Sequence, residues 1–210
     1  MVLRTSSEKQ VGVGEAVLRV GDPSIHWLGI VHGLLHMYLL NDQGRESTLA
    51  CIAQSEWCGE GSLIKGERRR YDAIAMEPSR IALVPLATFT TLRDESIAFN
   101  QYLQTIMNER MSGFIALLTA HRFLSVEQRV AHCVAMLGAK QVSGNGLLTL
   151  GQQQIALLCG LSRQRVNAAL GALEHRGLVN TTPKGLLILD LKALQAYGAP
   201  GDRDTTLTNK

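Results

Sequence analysis

Gln152-Gln153-Gln154-Ile155-Ala156-Leu157-Leu158-Cys159-Gly160-Leu161-Ser162-Arg163-Gln164-Arg165-Val166-Asn167-Ala168-Ala169-Leu170 sets small, apolar and polar residues at the offsets of two short helices joined by a tight turn. Ala156 is small enough for a second helix to cross closely over the first. Gly160 can take positive φ at the turn without a Cβ penalty. Ser162 can cap the second helix by accepting an orphan backbone N–H. Ile155, Cys159, Leu161, Val166 and Ala169 supply a shared core, and Leu170 and Leu173 continue the buried stripe. The pattern is a helix-turn-helix.

At about 100° per residue, Val166, Leu170 and Leu173 point inward, so Gln164 and Ala168 point outward. Arg165 and Asn167 lie on the shoulders, and Arg163 stands at the exposed start. Forked arginine, glutamine and asparagine side chains read base edges, so Arg163, Gln164, Arg165 and Asn167 form a candidate base-reading set. An ordinary helical hairpin would need neither this cap nor this outward polar set.

The charge distribution agrees with that reading. The chain of 210 residues has a formal net charge of +3, too mild to mark a nucleic-acid binder by itself. From Gly151 to Gly185, however, Arg163, Arg165, Arg176 and Lys184 face only Glu174, so this segment alone carries a net +3. Cys51, Cys58, Cys133 and Cys159 form no C-x-x-C pair and sit in apolar surroundings, as buried reduced thiols of a cytoplasmic protein do. No signal-peptide pattern opens the chain. The uncharged stretch Pro23 to Asn41 has an apolar part, Trp27 to Leu40, of only fourteen residues, which suits buried strands better than a membrane span.

Up to about Pro85 the sequence reads as short strands. Gly21-Asp22-Pro23 and Asn41-Asp42-Gln43-Gly44 are turn clusters, and Leu34–Leu40 and Ile81–Val84 are apolar runs between them. Such spacing suggests a small barrel or roll. From about Asp94 to His121 the period turns helical. Met107, Met111, Phe114, Leu118 and His121 make a heptad seam, and Phe99, Leu103, Ile106 and Leu117 make a second stripe. A helix of about 40 Å with two apolar stripes can pack on its own domain and on a partner, so the seam is a candidate homodimer interface. Ser125 caps a further helix, Val126–Leu137. Gly144-Asn145-Gly146 is a turn, and Leu147–Leu150 a short strand. Leu178–Thr181 and Leu186–Leu189 around Pro183-Lys184-Gly185 read as the hairpin of a winged helix, followed by a helix at Leu191–Tyr197. The fold class is therefore α+β. A β-roll spans residues 1–93, a candidate dimerisation helix 94–122, a winged helix-turn-helix 123–200 and a polar tail 201–210; the resemblance described next implies that the roll senses an effector.

This order resembles the Crp/Fnr family of bacterial transcription regulators over roughly Val13 to Tyr197. Besides the helix-turn-helix, Trp57-Cys58-Gly59-Glu60 resembles the family's step into its effector pocket. Asn41-Asp42-Gln43-Gly44-Arg45-Glu46 resembles a turn between roll strands, and Phe123-Leu124-Ser125-Val126 resembles the hinge. The resemblance implies that Glu60 accepts from a ribose hydroxyl. It also implies that an arginine eleven residues after Gly59, here Arg70, meets a cyclic phosphate. Tyr71 stands where cyclic-nucleotide binders have serine, and Phe114 and Ile115 stand where they have small adenine-contacting residues. Gly59, Glu60, Arg70, Tyr71 and Phe114 are thus the candidate effector pocket, one too bulky for cyclic AMP. The resemblance also implies that Arg163 pairs with guanine, that Gln164 replaces an acidic residue and that Ala168 replaces an anchoring arginine. Gln152, Gln153, Ser162 and Lys184 are placed on phosphates.

An iron–sulfur cluster lacks its cysteine ligands. His32 and His36, if on one strand, would be about 13 Å apart and could not share a metal ion, so no metal site is expected. A single axial histidine among His26, His32 and His36 leaves haem or another small-molecule effector open; otherwise no cofactor is expected. The expected function is that of a dimeric regulator binding a palindromic operator in double-stranded DNA and steering RNA polymerase. The alternative is a ligand-sensing or scaffold protein whose winged helix docks another protein, for which the outward face should be more apolar. Enzyme motifs are absent from the sequence: it has no phosphate-binding glycine loop, nucleophile elbow or metal triad.

Overall fold

The computed structural model describes residues 5–140 and 146–199. The chain divides into two compact units, Met1–Phe114 and Ile115–Lys210. Most of the turn expected at Gly144-Asn145-Gly146, and the polar tail, lie outside the described residues.

In the first unit, alternating apolar residues line two antiparallel four-stranded sheets. One has the order β1 (Ser7–Val11), β8 (Ser79–Pro85), β3 (His26–His32), β6 (Trp57–Cys58); the other has β2 (Ala16–Leu18), β7 (Asp72–Ala75), β4 (Leu34–Leu40), β5 (Glu46–Ala53). Val11, Leu18, Leu28, Ile30, Leu35, Met37, Ile52 and Ile81 form their shared core. Each large aliphatic side chain so buried contributes roughly 1.5–3 kcal/mol. The roll begins earlier than the resemblance suggested, since β1 precedes Val13.

Two helices of this unit were not read from the sequence. Glu60–Lys65 (α1) follows the Gly59 step, and Leu86–Glu95 (α2) follows β8. The long helix α3 spans Ile97–Phe123. Its Phe99, Leu103 and Ile106 pack on Trp27, Leu63, Val84 and Phe89. This aromatic cluster includes a Trp27–Trp57 stack with ring centroids 4.0 Å apart.

In the second unit, α4 (Val126–Lys140) runs three residues past the expected Leu137. The pair α5 (Gln152–Cys159) and α6 (Arg163–His175) follows it. The wing strands β10 (Val179–Thr182) and β11 (Gly185–Ile188) pair antiparallel, and β9 (Leu147–Leu148) adds to β11. Gly185 is required there. Its φ is +136, and a Cβ would meet Leu148 O at 2.0 Å. Helix α7 (Leu191–Tyr197) closes the unit. Val130, Val134, Ile155, Val166, Leu170, Leu173 and Leu186 are all fully enclosed, so helices and wing share one core.

Candidate nucleic-acid interface and roll pocket

Turn chemistry sets the geometry of the α5–α6 pair. Gly160 adopts φ 60, ψ 41, and its N–H and that of Leu161 satisfy the carbonyls of Leu157 and Ala156 at 3.1 and 3.0 Å. Ser162 Oγ accepts from Arg165 N at 3.4 Å, capping α6. At the start of α5, Gln154 Oε1 accepts from Gly151 N at 2.8 Å. Val166, Ala169, Leu170 and Leu173 are buried, whereas Arg163, Gln164, Arg165, Asn167 and Ala168 are exposed. The four candidate base readers therefore occupy one outward face of the first two turns.

That face borders a concavity of about 380 Å³ formed by Gln152, Gln153, Arg163, Thr181, Thr182 and Gly185 among others. Lys184 is exposed at the tip of the adjoining wing. The wing is tied to α6 by Thr181 N donating to Glu174 Oε1 at 3.0 Å. The concavity thus brings the phosphate-contact candidates Gln152 and Gln153 together with the base reader Arg163, over a floor that includes Leu150, Ile155 and Leu170.

In the roll, the candidate pocket residues are only partly brought together, and one is corrected. Arg70 points out: its side chain is 74% exposed and pairs with Glu67 at 3.3 Å. Arg69 is the inward arginine, 3% exposed. Its Nη1 donates to Gly59 O at 2.7 Å and its Nη2 to His26 O. The physical reason is register. Arg69 N donates to Asp22 O at 2.9 Å just ahead of β7, and burial alternates from buried Arg69 to exposed Arg70 to half-buried Tyr71. An offset of one residue along such a segment exchanges the two faces.

Glu60 is buried but not free. One carboxylate oxygen is clasped by Arg110 Nη1 from α3, and Arg110 Nη2 also donates to Trp57 O at 2.6 Å. Sequence reasoning missed Arg110, although its spacing from Leu103 and Ile106 put it on the inward stripe. Tyr71 is half-buried against the roll core, and burial pushes its phenol pKa up. Phe114 does not join this group. It is 41% exposed, like Met107 at 45%, Met111 at 60% and Leu118 at 57%. His121, also on the seam, is exposed.

Beside Arg69 lies a cavity of about 270 Å³ walled by Leu18, Ile25, Leu28, Ile81 and Leu83, with Lys9, Asp22 and His26 at its polar side. The buried Arg69 guanidinium is bonded to two carbonyls and one oxygen of Glu60 to Arg110, whereas Arg69 Nε and Glu60 Oε2 are buried with no hydrogen-bond partner among the described residues.

His32 and His36 are not on one strand, as the sequence reading assumed. His32 ends β3 and His36 lies on β4, in different sheets. His36 Nε2 is 3.0 Å from Thr48 Oγ1 and its Nδ1 3.4 Å from Glu46 Oε1. Burial pushes its pKa down to about 4. All four cysteines are buried thiols, none of them in a disulfide.

A β-roll joined to a winged helix-turn-helix whose reading face is polar and basic defines a DNA-binding transcription regulator. Known proteins place it further. Residues 8–96 match the family model for the cyclic nucleotide-binding domain, and residues 128–197 match that for the Crp-like helix-turn-helix domain. The chain belongs to the Crp/Fnr family of transcription regulators, which are not enzymes. It is 26% identical over 186 residues to the CRP-like cAMP-activated global transcriptional regulator of Mycobacterium tuberculosis, covering 86% of this chain and 83% of that protein. It is also 26% identical over 189 residues to the cyclic AMP receptor protein of Thermus thermophilus, covering 88% and 86%. The fold matches FixK2 from Bradyrhizobium japonicum with a TM-score of 0.83 at 16% identity, over 93% of this chain and 98% of that one. Among the described residues, no helix is long and apolar enough to cross a membrane.

Proposed function

We propose that this protein is a cytoplasmic, homodimeric regulator that binds an imperfect palindrome in double-stranded DNA, acts on RNA polymerase and does not use cyclic AMP. The carrying observation is the outward polar face of α6, set beside the α5 N-terminus and the wing. Arg163 supplies a fork for guanine O6 and N7. Gln164 can both donate and accept, which suits adenine. Gln152, Gln153, Ser162 and Lys184 fix register on phosphates.

Dimerisation is supported by the seam. Met107, Met111, Phe114 and Leu118 leave a row of large apolar side chains in water on a single chain, which association would remove. Two symmetry-related α6 helices would then meet half-sites about 10–11 base pairs apart between centres.

The effector reading rests on the Arg110 clasp on one oxygen of Glu60, the two carbonyls that Arg69 already bonds and the bulk of Tyr71. The protein is either competent without an effector or responds to a ligand more apolar than a nucleotide, in keeping with the aliphatic wall of the cavity beside Arg69. No haem is assigned. His36 is enclosed between Thr48 and Glu46, and His32 stands at an exposed strand end. Selection of bound duplexes from a random pool tests the proposal. An enriched palindrome with this spacing is expected; enrichment of single half-sites, or of nothing, would refute it.

A further inference from the structure

The turn between α5 and α6 is bordered by basic side chains from outside the helix-turn-helix. A Cβ built on Gly160 would lie 3.5 Å from His121 Cε1 and 3.9 Å from Arg129 Nη2. Arg129 Nη2 donates to Cys159 O at 2.8 Å. Just beyond the turn, Arg165 sits in the first turn of α6, where its N–H is bonded to the Ser162 hydroxyl. Burial lowers the Arg129 pKa, Cys159 opposing and the Arg165 charge reinforcing the shift, while burial and then Arg129 lower that of His121.

Among the described residues neither Arg129 nor Arg165 has a carboxylate partner. Glu127 accepts from the Tyr197 hydroxyl at 2.8 Å and Glu174 from Thr181 N at 3.0 Å, so these two acids of α4 and α6 are engaged elsewhere. Two like charges, one of them half-buried, repel each other and lose hydration unless an anion completes the site. The anion such a surface meets is set by its neighbours. Ser162 and Arg163 lie alongside, on the face turned to DNA in the proposed function.

We infer that Arg129 and Arg165 together grip one backbone phosphate of the bound duplex, Arg129 reaching it from α4 beneath the turn. This rests on the DNA-binding reading and moves Arg165 from reading a base to holding the backbone. The alternative is that Arg129 only braces the turn through Cys159 O.

Salt dependence separates the two. Arg129→Gln removes the charge, while Arg129→Lys keeps the charge and a longer-reaching donor. With both arginines replaced by glutamine the slope of log K against log salt should flatten by about 0.9 for each helix-turn-helix on the duplex, and Arg129→Gln alone should remove part of that. The loss should be equal on operator and random DNA, and Arg129→Lys should restore the slope. Arg165→Gln changes an exposed side chain, so its folding is not at issue; it should flatten the slope similarly and leave the selected consensus intact. An unchanged slope in Arg129→Gln, or a changed consensus in Arg165→Gln, would overturn the inference. Wild-type protein that binds no DNA at all would instead refute the reading beneath it.

Discussion

Replacing Arg110 by methionine removes the charge that balances Glu60 while keeping much of the apolar stem. The Glu60 side chain is 4% exposed and that of Arg110 17%, so the pair is largely out of water. Removing one partner of a buried pair costs roughly 3–5 kcal/mol, because the other is left charged and unpaired. Residual exposure of Arg110 argues for the lower end, about 3 kcal/mol. The lost bond to Trp57 O adds about 1 kcal/mol. The expected destabilisation of the first unit is therefore about 3–4 kcal/mol. In the double variant Glu60→Gln/Arg110→Met no orphan charge remains, and the loss should shrink to about 1–2 kcal/mol. Urea unfolding followed by tryptophan fluorescence is the assay, since the stacked Trp27 and Trp57 both report on this unit. If Arg110→Met costs under about 1 kcal/mol, or the double variant is as unstable as the single one, the clasp is not a buried ion pair and the argument fails.

Three further outcomes follow from the same geometry. Met111→Glu, on the exposed seam, should give monomers by sedimentation and abolish tight operator binding; a dimer persisting at micromolar concentration would show the seam to be misassigned. Calorimetry should detect no micromolar cyclic AMP binding to the wild type, and binding that disappears in Arg69→Ala but not in Arg70→Ala would contradict the effector reading. His36, neutral in the fold down to a pKa of about 4, takes a proton in the unfolded chain below its ordinary 6.5. Stability should therefore fall as pH drops from about 6.5 to 4, by at most roughly 3 kcal/mol. Glu46, 3.4 Å away, would pair with any charged imidazole and reduce that loss. Thermal melts of His36→Gln should show a flatter pH dependence, and an identical profile would remove His36 as the cause.

What the sequence disclosed depended on how local the determinants were. The helix-turn-helix was legible because a cap, a turn glycine and a buried stripe fall within nineteen residues and act through neighbouring backbone. The wing and α7 followed from turn residues in the same way. Helix α2 was missed because Thr88, Thr90 and Thr91 interrupt its apolar pattern, and tertiary packing of Phe89 on Trp27 decides it instead. That Arg69 rather than Arg70 faces inward was not legible, because facing alternates from one residue to the next there and spacing from Gly59 does not fix it. Arg110 went unread because its partner Glu60 is fifty residues away along the chain. His32 and His36 were separated by a change of sheet at Gly33, whose φ of +103 turns the chain out of the strand.

The most direct test of the central reading, that α6 reads DNA, is operator selection repeated with Arg163→Ala. The expected result is a palindrome that keeps its spacing but loses preference at one position in each half-site, with affinity for the wild-type operator lower by about 1–3 kcal/mol. A wild-type consensus selected unchanged by Arg163→Ala would contradict it.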